Sequence, residues 1–119
     1  MIEGVLPETM PGLELATALD RIGIPAQVFK TILLKFAETN NDKAKEIKQC
    51  LAIGDIDKVA RLAHGLKGAS ANIGADALHK RTVAIGLAIK NGDSLNIVSA
   101  QVDSVSVELN TVLDSLSKL

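Results

Sequence analysis

Tryptophan and tyrosine are absent from this 119-residue chain, and phenylalanine occurs only twice. Few rings are therefore available to stack on bases. Thirteen Lys and Arg stand against fourteen Asp and Glu, a formal charge of −1, so there is no basic surplus to draw a phosphate backbone. A nucleic-acid surface is not expected. The single cysteine, Cys50, excludes an internal disulfide and a Cys-based zinc site, and fits a reducing compartment. No apolar run approaches the roughly 20 residues needed to cross a bilayer. The N-terminus also lacks the basic-then-apolar order of a signal peptide, so a cytoplasmic chain without direct membrane contact is expected. Neither a Walker-type phosphate loop nor a Rossmann fingerprint is present.

What remains is 47% apolar and 23% charged, enough for one packed domain rather than disorder. The apolar residues are mainly Ala, Leu, Ile and Val at three-and-four spacing without sustained alternation, which predicts helices throughout. Gly54-Asp55, Gly74-Ala75-Asp76 and Gly92-Asp93 each place a glycine where a helix can end left-handed, followed by an Asp able to cap the next helix. Short connections of this kind join antiparallel neighbours.

The fold class expected is all-α: an antiparallel up-down four-helix bundle with a short N-terminal capping helix over Leu13 to Ile22. The first long helix runs from about Pro25 to Ile53, with Phe29, Ile32, Leu33, Phe36, Ala44, Ile47 and Leu51 inward. Its stripe keeps phase across Asn40-Asn41-Asp42, so one long helix is expected there, with room for a bend. The second spans Ile56 to Asn72, the third Asp76 to Asn91, and the fourth Ser94 to near the end with a near-heptad stripe beginning at Leu95. Residues 1–12, with Pro7, Pro11 and Gly12, read as linker, leaving 13–119 as the domain.

One position does not fit a plain bundle. At about 100° per residue, His64 falls about 140° from the centre of the second helix's apolar stripe. Around it lie Asp57, Ala60, Arg61, Lys67, Gly68 and Ala71. A solvated helix face is normally filled with Glu, Lys, Gln and Arg. Here Ala60 and Gly68 sit one turn to either side of His64, with Ala71 beyond, and a helix-interior glycine costs about 1 kcal/mol relative to Ala. Clearing side chains from beside an outward imidazole opens the ring to a large partner. Lys67, at i+3, can bring an ammonium near it and stabilise an anion placed there. That combination suits covalent phosphoryl capture. Two plainer readings stand beside it, since surface histidines are common and Gly68 could serve close helix packing. His79, flanked by Lys80 and Arg81 on the third helix, reads as merely solvated. Asp57 lies about 10 Å along the axis from His64, too far to orient it as a triad acid would. Metal ligation by His64 lacks partners at one-turn spacing, and Cys50 reads as a structural thiol.

The segment Ala63-His64-Gly65-Leu66-Lys67-Gly68-Ala69-Ser70-Ala71-Asn72-Ile73-Gly74-Ala75 resembles the signature of histidine-containing phosphotransfer (HPt) domains. Met10-Pro11-Gly12-Leu13 and the helix after it are similar to the lead-in where such a domain ends a hybrid sensor kinase. The resemblance implies His64 as phosphoacceptor through its outer ring nitrogen, and Lys67 as the residue stabilising phosphoryl charge. It implies Gly68 as the opening for a partner's active site. The cleared helix face itself suggests a docking patch of Ala60, Arg61, Gly68 and Ala71. The implied partners are response-regulator receiver domains and a hybrid sensor histidine kinase. No cofactor is implied for this chain, since Mg²⁺ would sit on the receiver, and no metal site. The resemblance implies a carrier rather than an enzyme, cytoplasmic and compatible with being the cytoplasmic domain of a membrane-anchored kinase. Gly86 stands where many members have Glu, Thr82 where Cys is frequent, and Gly65 where Thr or Ser is common. The alternative class is a helical adaptor or dimerisation bundle that carries no phosphate.

Overall fold

The computed structural model describes residues 1–119. Six helices follow a two-stranded ribbon: β1 (Thr9–Met10), β2 (Leu13–Glu14), α1 (Leu15–Ile22), α2 (Ala26–Asn40), α3 (Lys43–Ala52), α4 (Ile56–Asn72), α5 (Asp76–Lys90) and α6 (Leu95–Leu116). The molecule is mostly helical, and α3 packs on α4 and α6, α4 on α5, and α5 on α6 around one core. Twenty-five buried apolar residues form that core, including Phe29, Leu33, Ile47, Leu66, Ile85 and Leu109. Burying one such Leu, Ile or Phe side chain is worth about 1.5–3 kcal/mol. The principal extents are 47 × 22 × 19 Å. The 22 residues of α6 account for about 33 Å of the long axis.

The helix-ending glycines behave as their positions suggest. After α4, Gly74 has φ +78°, and the Ala75 and Gly74 amides donate to the carbonyls of Ser70 and Ala71. This double closure satisfies carbonyls that the helix leaves unpaired. Gly54 and Gly92 close α3 and α5 in the same way. The capping expectation holds only for Asp55, whose carboxylate accepts from the Lys58 amide at 3.2 Å. Asp76 instead lies inside the first turn of α5, and Ser94 rather than Asp93 caps α6.

The expected single helix over Pro25–Ile53 is two helices. Asn40 is buried, and its side-chain amide donates to the Phe36 carbonyl at 3.0 Å. A side chain competing for an i−4 carbonyl loosens the ladder there, and Asp42 then adopts ψ +10° before α3 begins. The inward phase survives the break through Phe36, Asn40, Ile47 and Cys50. Pro25 precedes α2 as its cap residue rather than joining its first turn. Ile32 and Leu95, expected inward, are exposed. Ile32 flanks the buried 29/33/36 stripe instead of lying on it, and Leu95 is the first residue of α6.

Residues 1–12 are not linker. Leu6 is fully buried, and β1 pairs antiparallel with β2 around Pro11 and Gly12, with Thr9 opposite Glu14. Pro11 and Gly12 (φ +80°) make a tight turn rather than part of a flexible tether. The Glu3 carboxylate accepts the Ala26 amide at 2.9 Å, satisfying an orphan donor at the positive end of α2. The Ser115 hydroxyl donates to the Pro11 carbonyl, and the Glu14 amide to the Gly74 carbonyl. This layer seats on the end of the bundle where α4 turns into α5.

A Cβ at Gly74 would lie 2.6 Å from the Glu14 carbonyl oxygen and 2.9 Å from the Ala18 Cβ, whereas at Gly54 it would meet nothing within 4 Å. Both glycines are left-handed, so both substitutions carry that penalty of about 1–2 kcal/mol. Gly74→Ala is therefore expected to lower the unfolding free energy by about 3 kcal/mol and Gly54→Ala by about 1 kcal/mol in urea titrations. Equal losses would show that the N-terminal layer does not press on the turn.

Candidate functional site

The candidate residues His64, Lys67 and Gly68 all lie on helix α4. Its start is set by the Asp55 cap and its end by the turn at Gly74. Val59, Ala63, Leu66 and Ser70 are its buried residues. They recur at three- or four-residue steps, so one side of the helix is fixed to the core. Ser70, a polar residue on that side, is satisfied within the helix by donating to the Leu66 carbonyl at 2.6 Å.

The other side faces water. His64, Arg61, Gly65 and Gly68 are exposed, while Lys67, Ala60 and Ala71 are half-buried. An added Cβ would meet nothing within 4 Å at Gly65 or at Gly68. Close packing against another helix of this chain therefore does not account for either glycine. Gly65, noted in the sequence only as standing where Thr or Ser is common, shares the same open face as Gly68. The signal for it was legible, because a second helix-interior glycine breaks propensity as plainly as the first. Gly86 on α5 is likewise exposed with open space at its Cβ position.

Arg61, three residues before His64, and Lys67, three residues after it, place two cations one turn to either side of the ring. A groove of about 250 Å³ beside Gly65 is lined by Thr39, Lys43, Arg61 and Ala69, among others. A neighbouring groove of about 260 Å³ runs between α2 and α4, past Ile32, Phe36, Ala69 and Asn72. The exposure of Ile32 thus adds an apolar wall next to the open face of α4. The largest groove, about 460 Å³, lies between α3 and α6 and does not border His64. No group of three or more His, Cys, Asp or Glu converges as a metal ligand set. Cys50 is buried among core residues, and Asp57 is exposed near the start of α4.

His79 is not simply solvated. It is half-buried, and its Nδ1 lies 3.0 Å from the main-chain carbonyl oxygen of Lys67. Sequence reasoning missed this contact because it looked only along α5. The hairpin itself holds the clue, since Lys67 stands seven residues before Gly74 and His79 five after it. One turn beyond Lys67, the Ala71 carbonyl accepts Arg21 Nη2 at 2.6 Å, a cation at the negative end of α4.

Compared with known proteins, residues 31–118 match the family model described as Hpt domain. No curated protein and no solved structure matches the chain. The match begins inside α2, so the N-terminal layer and α1 lie outside it.

If the opening at Gly68 has no packing role, filling it with a methyl group is expected to stabilise the helix. Gly68→Ala should raise the unfolding free energy by about 0.5–1 kcal/mol. A loss of stability in thermal or urea unfolding would return Gly68 to a packing role.

Proposed function

Because the chain belongs to the family of Hpt domains, which carry phosphoryl groups in phosphorelays, we propose that His64 is its phosphoacceptor. In this reading the neutral imidazole attacks the phosphorus of an aspartyl phosphate on a receiver domain through its outer nitrogen. The N–P bond forms as the P–O bond to the aspartyl carboxylate breaks, and that carboxylate leaves with the electron pair. The other ring nitrogen keeps its proton during the attack, so the new phosphoramidate begins on a positively charged ring. Transfer to the aspartate of a second receiver reverses these bond changes.

The observation that carries the reading is the pair of exposed helix-interior glycines, Gly65 and Gly68, beside an exposed histidine with nothing in the chain to fill their space. Each costs about 1 kcal/mol of helix stability, and the return is access for another protein. Lys67 is assigned to stabilising phosphoryl charge, and Arg61 adds a second cation on the approach. The docking patch comprises Ala60, Arg61, Gly68 and Ala71, with Gly65 and the wall at Ile32 extending it. Receiver domains are the proposed partners, and the receiver is expected to hold Mg²⁺ and supply most of the charge stabilisation. The chain then acts as a carrier and not as an enzyme.

The resemblance of the lead-in at Met10–Leu13 supports a hybrid sensor histidine kinase as the source of phosphate. No helix is long and apolar enough to cross a membrane, and a cytoplasmic site of action is part of the proposal. The short turns at Gly54, Gly74 and Gly92, and the packing of α3 to α6, support an antiparallel up-down arrangement of four helical rods, with α2 and α3 as the first.

The decisive measurement uses receiver domains charged with acetyl phosphate. The wild-type chain is expected to gain phosphate that survives alkali and is lost in acid, and His64→Gln to gain none while keeping its helical circular dichroism. Acceptance by His64→Gln at the normal rate would exclude the assignment and favour a different nucleophile. A helical adaptor would leave both proteins unlabelled. For the opening, Gly68→Gln is expected to slow transfer at least about tenfold by filling the approach, with stability changed by no more than about 1 kcal/mol. Unimpaired transfer in that variant would show that the approach lies elsewhere.

A further inference from the structure

The carbonyl that His79 touches belongs to the peptide unit joining Lys67 to Gly68, the two residues that the transfer reading needs beside His64. Inside an α-helix this carbonyl accepts the amide one turn on, from Ala71. The Nδ1 atom of His79, from the neighbouring helix, approaches the same oxygen at 3.0 Å. A carbonyl has no proton to give, so Nδ1 carries the hydrogen and donates it. The tautomer of a histidine is set by the bond its ring makes. Here that bond leaves Nε2 as the nitrogen facing away from α4. No buried side-chain nitrogen in the structure lacks a partner, so Nε2, which bonds to nothing in the chain, reaches water.

The place of this contact matters more than its strength. Gly68 has greater backbone freedom than any other residue type, and no atom of the fold lies within 4 Å of its missing Cβ. Gly68 itself therefore contributes no side-chain packing to hold its backbone in helical geometry. Beyond the packing of its buried neighbours Leu66 and Ser70, local support comes through the peptide units on either side. His79 supplies it from a fixed base: Leu78 and Thr82 on α5 are buried, and the Thr82 hydroxyl donates to the His79 carbonyl at 2.7 Å. A histidine that only filled space would need no donor aimed at that oxygen.

We propose that His79 is a positioning residue for phosphoryl transfer. Its Nδ1–H holds the Lys67–Gly68 peptide, keeping the cleared stretch of α4 helical and the Lys67 ammonium on the His64 side. The inference rests on the assignment of His64 as acceptor, which it deepens, and it gives α5 a part in a site otherwise carried by α4.

The test compares His79→Leu, which fills the space without a donor, with His79→Asn, whose side-chain amide can place an N–H near the position of Nδ1. In His79→Leu, transfer from a receiver charged with acetyl phosphate should slow roughly fivefold at saturating receiver, in line with one lost hydrogen bond. The Gly68 and Ala71 amides should exchange with deuterium faster by a similar factor. His79→Asn should stay within about twofold of wild type in both measurements. Nitrogen-15 spectra of the wild-type ring should show the hydrogen on Nδ1 in the neutral form. The proposal is overturned by wild-type transfer and exchange in a folded His79→Leu, by His79→Asn as slow as His79→Leu, or by a neutral ring protonated at Nε2. Should His79→Leu fail to fold, the Asn variant and the ring spectrum still decide. If even the wild type takes no phosphate, the assignment of His64 fails, while amide exchange at Gly68 separately accepts or rejects the hold exerted by His79.

Discussion

Everything in this domain depends on one helix being anchored along one side and bare along the other. A helix with glycines at positions 65 and 68 would be marginal by itself, since helices of this length gain most of their stability from packing. The two glycines together cost about 2 kcal/mol. Against this, burying Val59 and Leu66 contributes about 1.5–3 kcal/mol each, and Ala63 adds further buried area. Packing wins, so α4 can expose an imidazole on a surface stripped of side chains and remain a helix.

The anchoring is completed at the C-terminal end of α4, where three parts of the chain converge. The left-handed Gly74 closes the helix, the Glu14 amide binds the Gly74 carbonyl, and the Arg21 guanidinium takes the Ala71 carbonyl. The N-terminal layer is thus a foundation for the α4–α5 turn. It also closes the start of α2 through Glu3.

The chemistry assigned to the domain asks little of its own residues beyond position. A carrier must present a nucleophile, tolerate an anion on it, and leave room for the protein that drives the reaction. In the proposed reading, His64, the cations Arg61 and Lys67, and the openings at Gly65 and Gly68 would meet those three needs. The His79 contact with the Lys67 carbonyl ties this face to α5, and in the proposed reading it would help hold the backbone at the glycine opening.

Much of this was legible in the residues alone. Local chemistry set the helix ends at Gly54, Gly74 and Gly92, the bounds of α4, and the outward place of His64, because periodicity and left-handed glycine act over one or two turns. The likeness to HPt domains was legible for the same reason, as its signature lies within a single helix and the turn that closes it. Only the tertiary structure decided that Asn40 interrupts the first long rod, that Leu6 and Glu3 bind a segment that looked like tether, and that His79 reaches across to Lys67. Those outcomes depend on which distant groups meet a buried amide, an orphan N–H or a free carbonyl lone pair. Such meetings are settled by packing between elements, and no periodicity along one element encodes them.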